Sequence, residues 1–268
     1  MNLYIRGLIG RALVAAAACT LPAVAQAPRA AGQTYVYQLT ANDNISTDYS
    51  SLPASVRGIA EANLAKANKT PTVYVLTLTT DRVNADGSAH VNVGFTSSLE
   101  SGIRGADPAV LARFNQFPAT FGTDGHFMPQ YDPNMQMDPH GNYSMDQMHN
   151  QKASEMARLF TDFNTFAGGC AKRGQIKSGD VWRIAGKDQY ANSRTYDFAA
   201  TSIAGSVAAV TMRGDLRSPN STSSLDATGH YDVARHLVLD LRATNIFKNT
   251  TPTGMSSSGT STMEYKLQ

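Results

Sequence analysis

The chain has 268 residues, a formal net charge of +2, and 42% hydrophobic and 16% charged residues. That length allows one domain with a substantial core. The composition excludes a collagen, a coiled coil, a disulfide-stapled miniprotein and a polytopic membrane protein. Ser, Thr, Asn and Gly replace charged residues, which is typical of exported proteins rich in β-strands.

Residues 1–25 have the pattern of a secretory signal peptide. Arg6 and Arg11 precede an uncharged apolar stretch, which at about ten residues is too short to span a membrane as a helix. An A-x-A motif then predicts cleavage after Ala25. We therefore expect a periplasmic or secreted protein. Lipoprotein anchoring through Cys19 is a weaker alternative, because Ala16 stands where a lipobox has a larger aliphatic residue.

Removal of the signal peptide changes the charge of the chain. It takes away two of the 23 basic residues and none of the 21 acidic ones, so the mature chain is formally neutral. A neutral chain has no overall field that attracts nucleic acid, and we expect no nucleic-acid partner. Cys170 is then the single cysteine, which excludes an internal disulfide. No later apolar segment reaches transmembrane length.

The hydrophobic pattern of the first hundred residues predicts a strand, a helix and a hairpin. Residues 33–39 alternate as in a strand, and apolar residues of 52–68 recur at helical spacing. Strands at 72–80 and 90–95 flank the turn signal Asn84-Ala85-Asp86-Gly87 and predict a β-hairpin.

The middle of the chain predicts helices around a short hairpin. Asp107-Pro108 opens a short helix that carries Phe117, and Asp124-Gly125 predicts a turn between two short strands. A single helix is expected over about 143–167, with Gly168-Gly169 ending it.

From Ile176 onward the alternation predicts a β-meander. The element order predicts the α+β class: a curved, mainly antiparallel β-sheet (meander) with about three helices packed on one face. We expect one domain over 26–268, with a Met/His-rich loop and helix inserted at about 126–156.

The strand entry Ile176-Lys-Ser-Gly-Asp-Val-Trp182 carries a resemblance. It resembles the V/I-x-x-G-D-x-W segment of exported bacterial β-rich proteins of unknown function, which have a lipoprotein-carrier-like curved sheet. The resemblance supplies no catalytic residues. It implies a covered apolar concavity that suits an apolar or lipid-like ligand, an inference from fold alone. The side chains expected to line that pocket are Tyr35, Tyr37, Leu76, Phe95 and Trp182.

The segment 126–156 has an unusual composition. Five of the ten methionines lie between positions 128 and 148, and three of the six histidines lie nearby. Thioether sulfur selects Cu(I), and imidazole also accepts Cu(II), so the segment is similar to those of periplasmic copper-handling proteins. The ligands of this alternative are Met135, Met137, His140, Met145, Met148 and His149. In the other interpretation these methionines pack on the helix and cover an apolar edge, and no cofactor is expected.

Catalytic motifs are missing from the sequence. It contains no G-x-S-x-G, S-x-x-K, H-E-x-x-H, P-loop, G-x-G-x-x-G or C-x-x-C. A constellation of His230, His236 and Asp240 would support a hydrolase, but alternation places them, with Asp232, on the solvated face of a hairpin. We therefore expect a non-enzymatic binding or envelope-associated domain. A copper-binding protein and a hydrolase without a recognisable motif remain alternatives.

Overall fold

A computed structural model describes residues 30–98, 115–135, 144–187, 193–218, 220–250 and 255–268. Three sets of predicted residues lie outside these ranges: the signal peptide with Cys19, the helix start at Asp107-Pro108, and the copper ligands Met137 and His140.

The described residues form eleven strands in two antiparallel meanders. The first meander contains β1 (Thr34–Thr47), β2 (Thr72–Val83), β3 (Ala89–Ser97), β4 (Gln116–Phe121) and β5 (Phe127–Pro129). The second contains β6 (Val181–Lys187), β7 (Ser193–Ala204), β8 (Val207–Ser218), β9 (Ser221–Asp232), β10 (Leu237–Thr250) and β11 (Ser256–Leu267). The order across the sheet is β5-β4-β3-β2-β1-β11-β10-β9-β8-β7-β6. The two meanders therefore join where β1 pairs with β11, and β5 and β6 are the free edges.

The same part of the chain contains three helices. Helix α1 (Ala54–Ala67) connects β1 to β2 and buries none of its residues. Helices α2 (Met145–Leu159) and α3 (Thr161–Arg173) connect the two meanders and contribute buried residues to the core. This architecture confirms the predicted α+β class with a curved antiparallel meander. None of these three helices combines the length and apolarity needed to cross a membrane.

The predicted hairpin is confirmed as β2 and β3, which pair antiparallel. Val91, Val93 and Phe95 are buried on one face of β3, as alternation requires. The turn signal also behaves as expected, because Gly87 adopts a left-handed conformation (φ 84). Phe117, which was predicted to lie on a helix, instead lies on β4, where it pairs with Val93.

The single helix predicted over 143–167 is two helices that meet at Phe160. This residue leaves helical geometry (φ −89, ψ 6). The bend brings the Phe160 and Phe163 rings to 5.5 and 5.4 Å from the Tyr265 ring. The sequence did not reveal the bend, because the spacing of the apolar residues is unchanged across it.

The prediction that Gly168-Gly169 ends the helix is wrong. Both glycines are buried inside α3, which continues to Arg173, and Gly174 (φ 70) follows it. A side chain at Gly169 would overlap the Phe198 ring, and one at Gly168 would overlap the His126 ring. The glycines are present because the helix packs unusually closely on both rings.

Helix α3 contacts both free edges of the sheet. At β5, the Asn164 amide accepts a hydrogen bond from the Phe127 backbone N–H and donates one to its carbonyl, each at 2.7 Å. At β6, the Trp182 indole N–H donates to the Gly169 carbonyl at 2.9 Å. The Asn164 contacts satisfy the Phe127 backbone groups, which an exposed edge would leave unpaired, whereas the β6 contact is made by the Trp182 side chain.

One end of the concave face is closed. A Cβ on Gly125, in the β4–β5 turn, would lie 2.6 Å from the His236 carbonyl oxygen in the β9–β10 turn. The Tyr37 hydroxyl donates to the Val238 carbonyl at 2.8 Å, beside a register shift in β10. Strands far apart in sheet order therefore meet at this end, and the core fills the space beneath them.

Replacing Gly169 with alanine should lower the free energy of unfolding by about 1–3 kcal/mol, because the added methyl group overpacks the contact with Phe198. The matched control is Gly58→Ala in α1, where an added Cβ meets no heavy atom within 4 Å. The control should be more stable than wild type by up to about 1 kcal/mol, because alanine favours helix. Urea unfolding followed by circular dichroism measures both, and a neutral Gly169→Ala change would contradict the close packing.

Candidate functional site

A cavity of about 400 Å³ lies between the concave face of the sheet and the junction of α2 with α3. Its volume falls in the range of small-molecule pockets. Strands β1, β7, β9, β10 and β11 form its floor, and the ends of the two helices form its wall. Six lining residues are apolar or aromatic: Ile45, Leu159, Ala243, Phe247, Met263 and Tyr265.

The inward face of the sheet changes from apolar to polar along the strands that form this cavity. On β1 the buried Leu39 is followed four residues later by Asp43. On β10 the buried Leu241 is followed four residues later by Asn245. The same change occurs on β9 and β11, from Leu225 to Ser223 and from Tyr265 to Ser261. Leu39, Leu225 and Leu241 belong to the buried core, whereas the polar residues line the cleft together with the six apolar or aromatic ones.

A buried arginine lies on the β7 side of the cleft. Arg194 is 7% exposed, and its Nη2 donates to the Ser223 hydroxyl at 2.5 Å. Its guanidinium lies 5.8 Å from the centre of the Tyr196 ring. Burying a guanidinium is costly unless polar or aromatic groups contact it, so the fold positions this cation at one side of the cleft.

Carboxylates also line the cleft. Asp43 comes from β1, at the centre of the sheet. Glu155 comes from α2, and its carboxylate accepts a hydrogen bond from the Tyr74 hydroxyl of β2 at 3.5 Å. Arg158 of α2 and Asp162 of α3 line the same cavity, so the cleft is amphipathic and holds charges of both signs.

One amide in the cleft has an unsatisfied oxygen. Asn245 Oδ1 is buried and accepts no hydrogen bond from any residue that the structure describes. Asn245 pairs with Ser261 of β11 and with Leu225 of β9. A buried carbonyl oxygen without a donor is unfavourable, and a donor group on a ligand would satisfy it.

The residues predicted to line an apolar pocket lie elsewhere, in the core. The Tyr37 ring packs edge-on against Phe163 at 5.5 Å, and the Trp182 ring stacks on Phe198 at 5.2 Å. Tyr35, Leu76 and Phe95 are also buried on the concave face. The 400 Å³ cavity is lined by other residues, and a pocket at these five side chains stays a prediction.

The predicted copper ligands are only partly described. Asn150 of α2 accepts from the Asp132 backbone N–H at 2.5 Å and donates to its carbonyl at 2.9 Å. These bonds hold the loop that carries Met135 against the helix that carries Met148 and His149. In the described ranges, no three His, Cys, Asp or Glu side chains gather as a metal site would require. The copper site remains a prediction.

The hairpin histidines do not form one constellation. His230 Nδ1 lies 2.9 Å from Asp240 Oδ2 on the exposed face. His236 Nδ1 lies 3.0 Å from the Tyr231 hydroxyl instead, because His236 belongs to the turn and adopts a left-handed conformation (φ 52). Asp232, predicted to be exposed, is 1% exposed and bonds Arg235 Nε at 2.7 Å. The turn folds its carboxylate inward, which alternation along a straight strand does not predict.

A second group of titratable residues lies at the closed end. The Asp124 carboxylate is 2.7 Å from His126 Nδ1 and accepts a hydrogen bond from the His126 backbone N–H at 3.1 Å. The hydrogen bond from the His126 side chain lowers the pKa of Asp124 to about 2. The pair ties the β4–β5 turn together where that turn contacts the β9–β10 turn.

No family model matches the sequence, and no curated protein is similar enough to count as a relative. The candidate site therefore depends on geometry alone. Sequence reasoning missed Arg194, Asn245 and Asn249. The available signal was the alternation on β10, which places both asparagines in line with the inward residues Leu241 and Ala243.

Replacing Asp124 with asparagine should destabilise the protein by about 1 kcal/mol or less near neutral pH, because the pair is partly exposed. Since the folded state lowers the pKa of Asp124 from 3.8 to about 2, the stabilisation is present above pH 3.8 and is lost as the pH falls toward 2. Urea unfolding at several pH values should show the difference between variant and wild type shrinking over that interval. The control is Asp226→Asn, which removes an exposed pair with Arg213. A difference that stays constant down to pH 2 would contradict the assignment.

Proposed function

We propose that this protein is an exported, non-enzymatic binding protein for an amphiphilic, lipid-like ligand, and that the cleft under the α2–α3 junction is the binding site. The observation that carries the proposal is the apolar-to-polar change along neighbouring strands within one cavity. A ligand with an apolar chain and a polar head matches both parts of such a surface.

The apolar part of the cleft supplies contact area for a chain. Ala243 and Phe247 of β10 and Met263 of the neighbouring β11 line the cleft, with Asn245 between the two β10 residues. Methionine adapts well to chains of different shape. Burial of apolar ligand surface here would contribute roughly 25 cal/mol per Å² removed from water.

The polar part of the cleft supplies groups for a head. Asn245, Asn249 and Ser261 line it together with the charged residues. A few polar groups in a mainly apolar pocket orient a ligand. The signal-peptide pattern supports an exported location, and the curved sheet with helices in its concavity supports the lipid-like ligand class by analogy of fold.

Replacing Ala243 with phenylalanine should weaken binding of the uncharged fluorescent probe N-phenyl-1-naphthylamine about tenfold or more, because the ring occupies the floor of the cleft. Ile246→Phe is the matched control: it lies on the same strand, is 55% exposed and faces outward. Fluorescence titration measures the affinity, and circular dichroism confirms that both variants are folded.

Two results would contradict the proposal. One is wild-type protein that does not bind the probe. The other is a folded Ala243→Phe variant that binds the probe as tightly as Ile246→Phe, which would place the probe outside the cleft.

A copper-binding role is the second candidate. The observation that favours it is the pair of hydrogen bonds between Asn150 and Asp132, which joins the segment just before Met135 to the helix that carries Met148 and His149. The donors are soft sulfur and imidazole, a set that suits Cu(I).

Titration of the mature protein with Cu(I) against a chromophoric chelator should then show binding tighter than micromolar. The Met148→Leu variant should bind Cu(I) about tenfold more weakly, because one thioether ligand is lost. Met156→Leu is the control, since Met156 is buried in the core. Binding no tighter than micromolar, or equal affinities of the two variants, would exclude this candidate.

A further inference from the structure

We propose that the cleft selects an amphiphile with an uncharged, hydroxylated head, such as a sugar or glycerol group, and that Asp43, Ser261 and Asn245 bind this head. We call these three residues the polar row. This inference rests on the proposed function, because it names the head group that the same cleft accepts.

The polar row crosses three neighbouring strands at the middle of the sheet. Asp43 of β1 pairs with Ser261 of β11, and Ser261 pairs in turn with Asn245 of β10. All three residues line the same cavity. Directly paired side chains on one face of a sheet have Cβ atoms about 5 Å apart, so a head with several polar groups can contact the whole row.

The polar groups of the row have no partner among the residues that the structure describes. Asn245 Oδ1 is buried and accepts no hydrogen bond there. Within the same described ranges, the Asp43 carboxylate and the Ser261 hydroxyl form no hydrogen bond or ion pair. An unsatisfied polar group is unfavourable where water is excluded, and a ligand that donates hydrogen bonds along this row would relieve that cost.

Other polar groups of the cleft differ from the row, because they already have partners. Arg194 donates to the Ser223 hydroxyl, and the Glu155 carboxylate accepts from the Tyr74 hydroxyl. A ligand would have to compete with these contacts, whereas the polar row needs none of its bonds broken. The row is therefore the part of the cleft best prepared to bind a head group.

The charges of the cavity favour a head that carries no charge. Asp43 would repel a carboxylate or phosphate, and Arg158, which lines the same cavity, would repel an ammonium group. A hydroxyl group both donates and accepts hydrogen bonds. A head with several hydroxyl groups can therefore bond a carboxylate, an amide and a hydroxyl without meeting a like charge.

Apolar residues flank the polar row on both sides. On β10, Ala243 lies two residues before Asn245 and Phe247 lies two residues after it, and on β1 Ile45 lies two residues after Asp43. A sugar ring has polar hydroxyl groups at its edge and apolar C–H groups on its faces. This combination suits a few polar groups set among apolar side chains.

Competition with N-phenyl-1-naphthylamine tests the head group on wild-type protein. The competitors share an eight-carbon chain: octyl glucoside, 1-O-octylglycerol, octanol, octanoate, octylammonium and octylphosphocholine, each used below its critical micelle concentration. At least one of the two hydroxylated heads should bind about tenfold or more tightly than octanol, because it forms several hydrogen bonds with the row. The ratio between octyl glucoside and 1-O-octylglycerol then identifies which of these heads the site prefers.

Variants locate the preference in the polar row. Asn245→Leu should remove most of it and leave probe binding within about twofold, because the change removes the buried oxygen and nearly keeps the side-chain size. The same variant should unfold at no lower urea concentration than wild type, since an unsatisfied oxygen is lost. Asn42→Leu is the matched control, because Asn42 is exposed and lies on the opposite face of β1 from Asp43. If Asn245→Leu does not fold, Asp43→Ala and Ser261→Ala carry the test.

The outcomes separate this inference from the proposed function. If the probe does not bind, the proposed function fails. If the probe binds but neither hydroxylated competitor exceeds octanol, or a charged or zwitterionic competitor binds most tightly, the hydroxylated head is overturned and the cleft function stands. A preference for the hydroxylated head that survives both Asn245→Leu and Asp43→Ala unchanged would overturn the role of the polar row.

Discussion

The position of α3 between the two free edges is the constraint on which the rest of the structure depends. Asn164 acts as a strand partner for Phe127 on β5, and the Gly169 carbonyl accepts the indole N–H of Trp182 on β6. A sheet that curves this far brings its edges toward each other, and unpaired edges would be free to pair with other chains. The helix pairs with the backbone of the β5 edge through Asn164 and is joined to the β6 edge through the Trp182 side chain.

The same helices leave the concave face half filled. At the α2–α3 junction the Phe160 ring packs against Tyr265 and Phe127, and the Phe163 ring packs against Tyr265, so these rings fill the core beside the cleft. Leu159 and Tyr265, at the α2–α3 junction, line the cleft together with polar residues of the neighbouring strands. The boundary between core and candidate site therefore lies under this junction.

Much of the fold could be predicted from the sequence, whereas the candidate site could not. Alternation within β2 and β3 and the turn at Gly87 are local signals, and the structure confirms them. The bend at Phe160 and the interior glycines of α3 depend on contacts with Tyr265 and Phe198, which come from distant strands. The position of the cleft depends on which half of the concave face the helices cover. In the sequence alone, Arg194 therefore cannot be told apart from any other polar residue near a strand.

The pairing of β1 with β11 has a consequence for folding. These strands contact each other in register along most of their length, although nearly the whole described chain separates them. Contacts of such long range form slowly, because a large loop must close before they are made. Until β11 is available, β1 is an exposed edge with unpaired backbone groups, and the Thr34–Thr47 strand is then the place where an incomplete chain would aggregate. The centre of the finished sheet is therefore its most vulnerable part during synthesis.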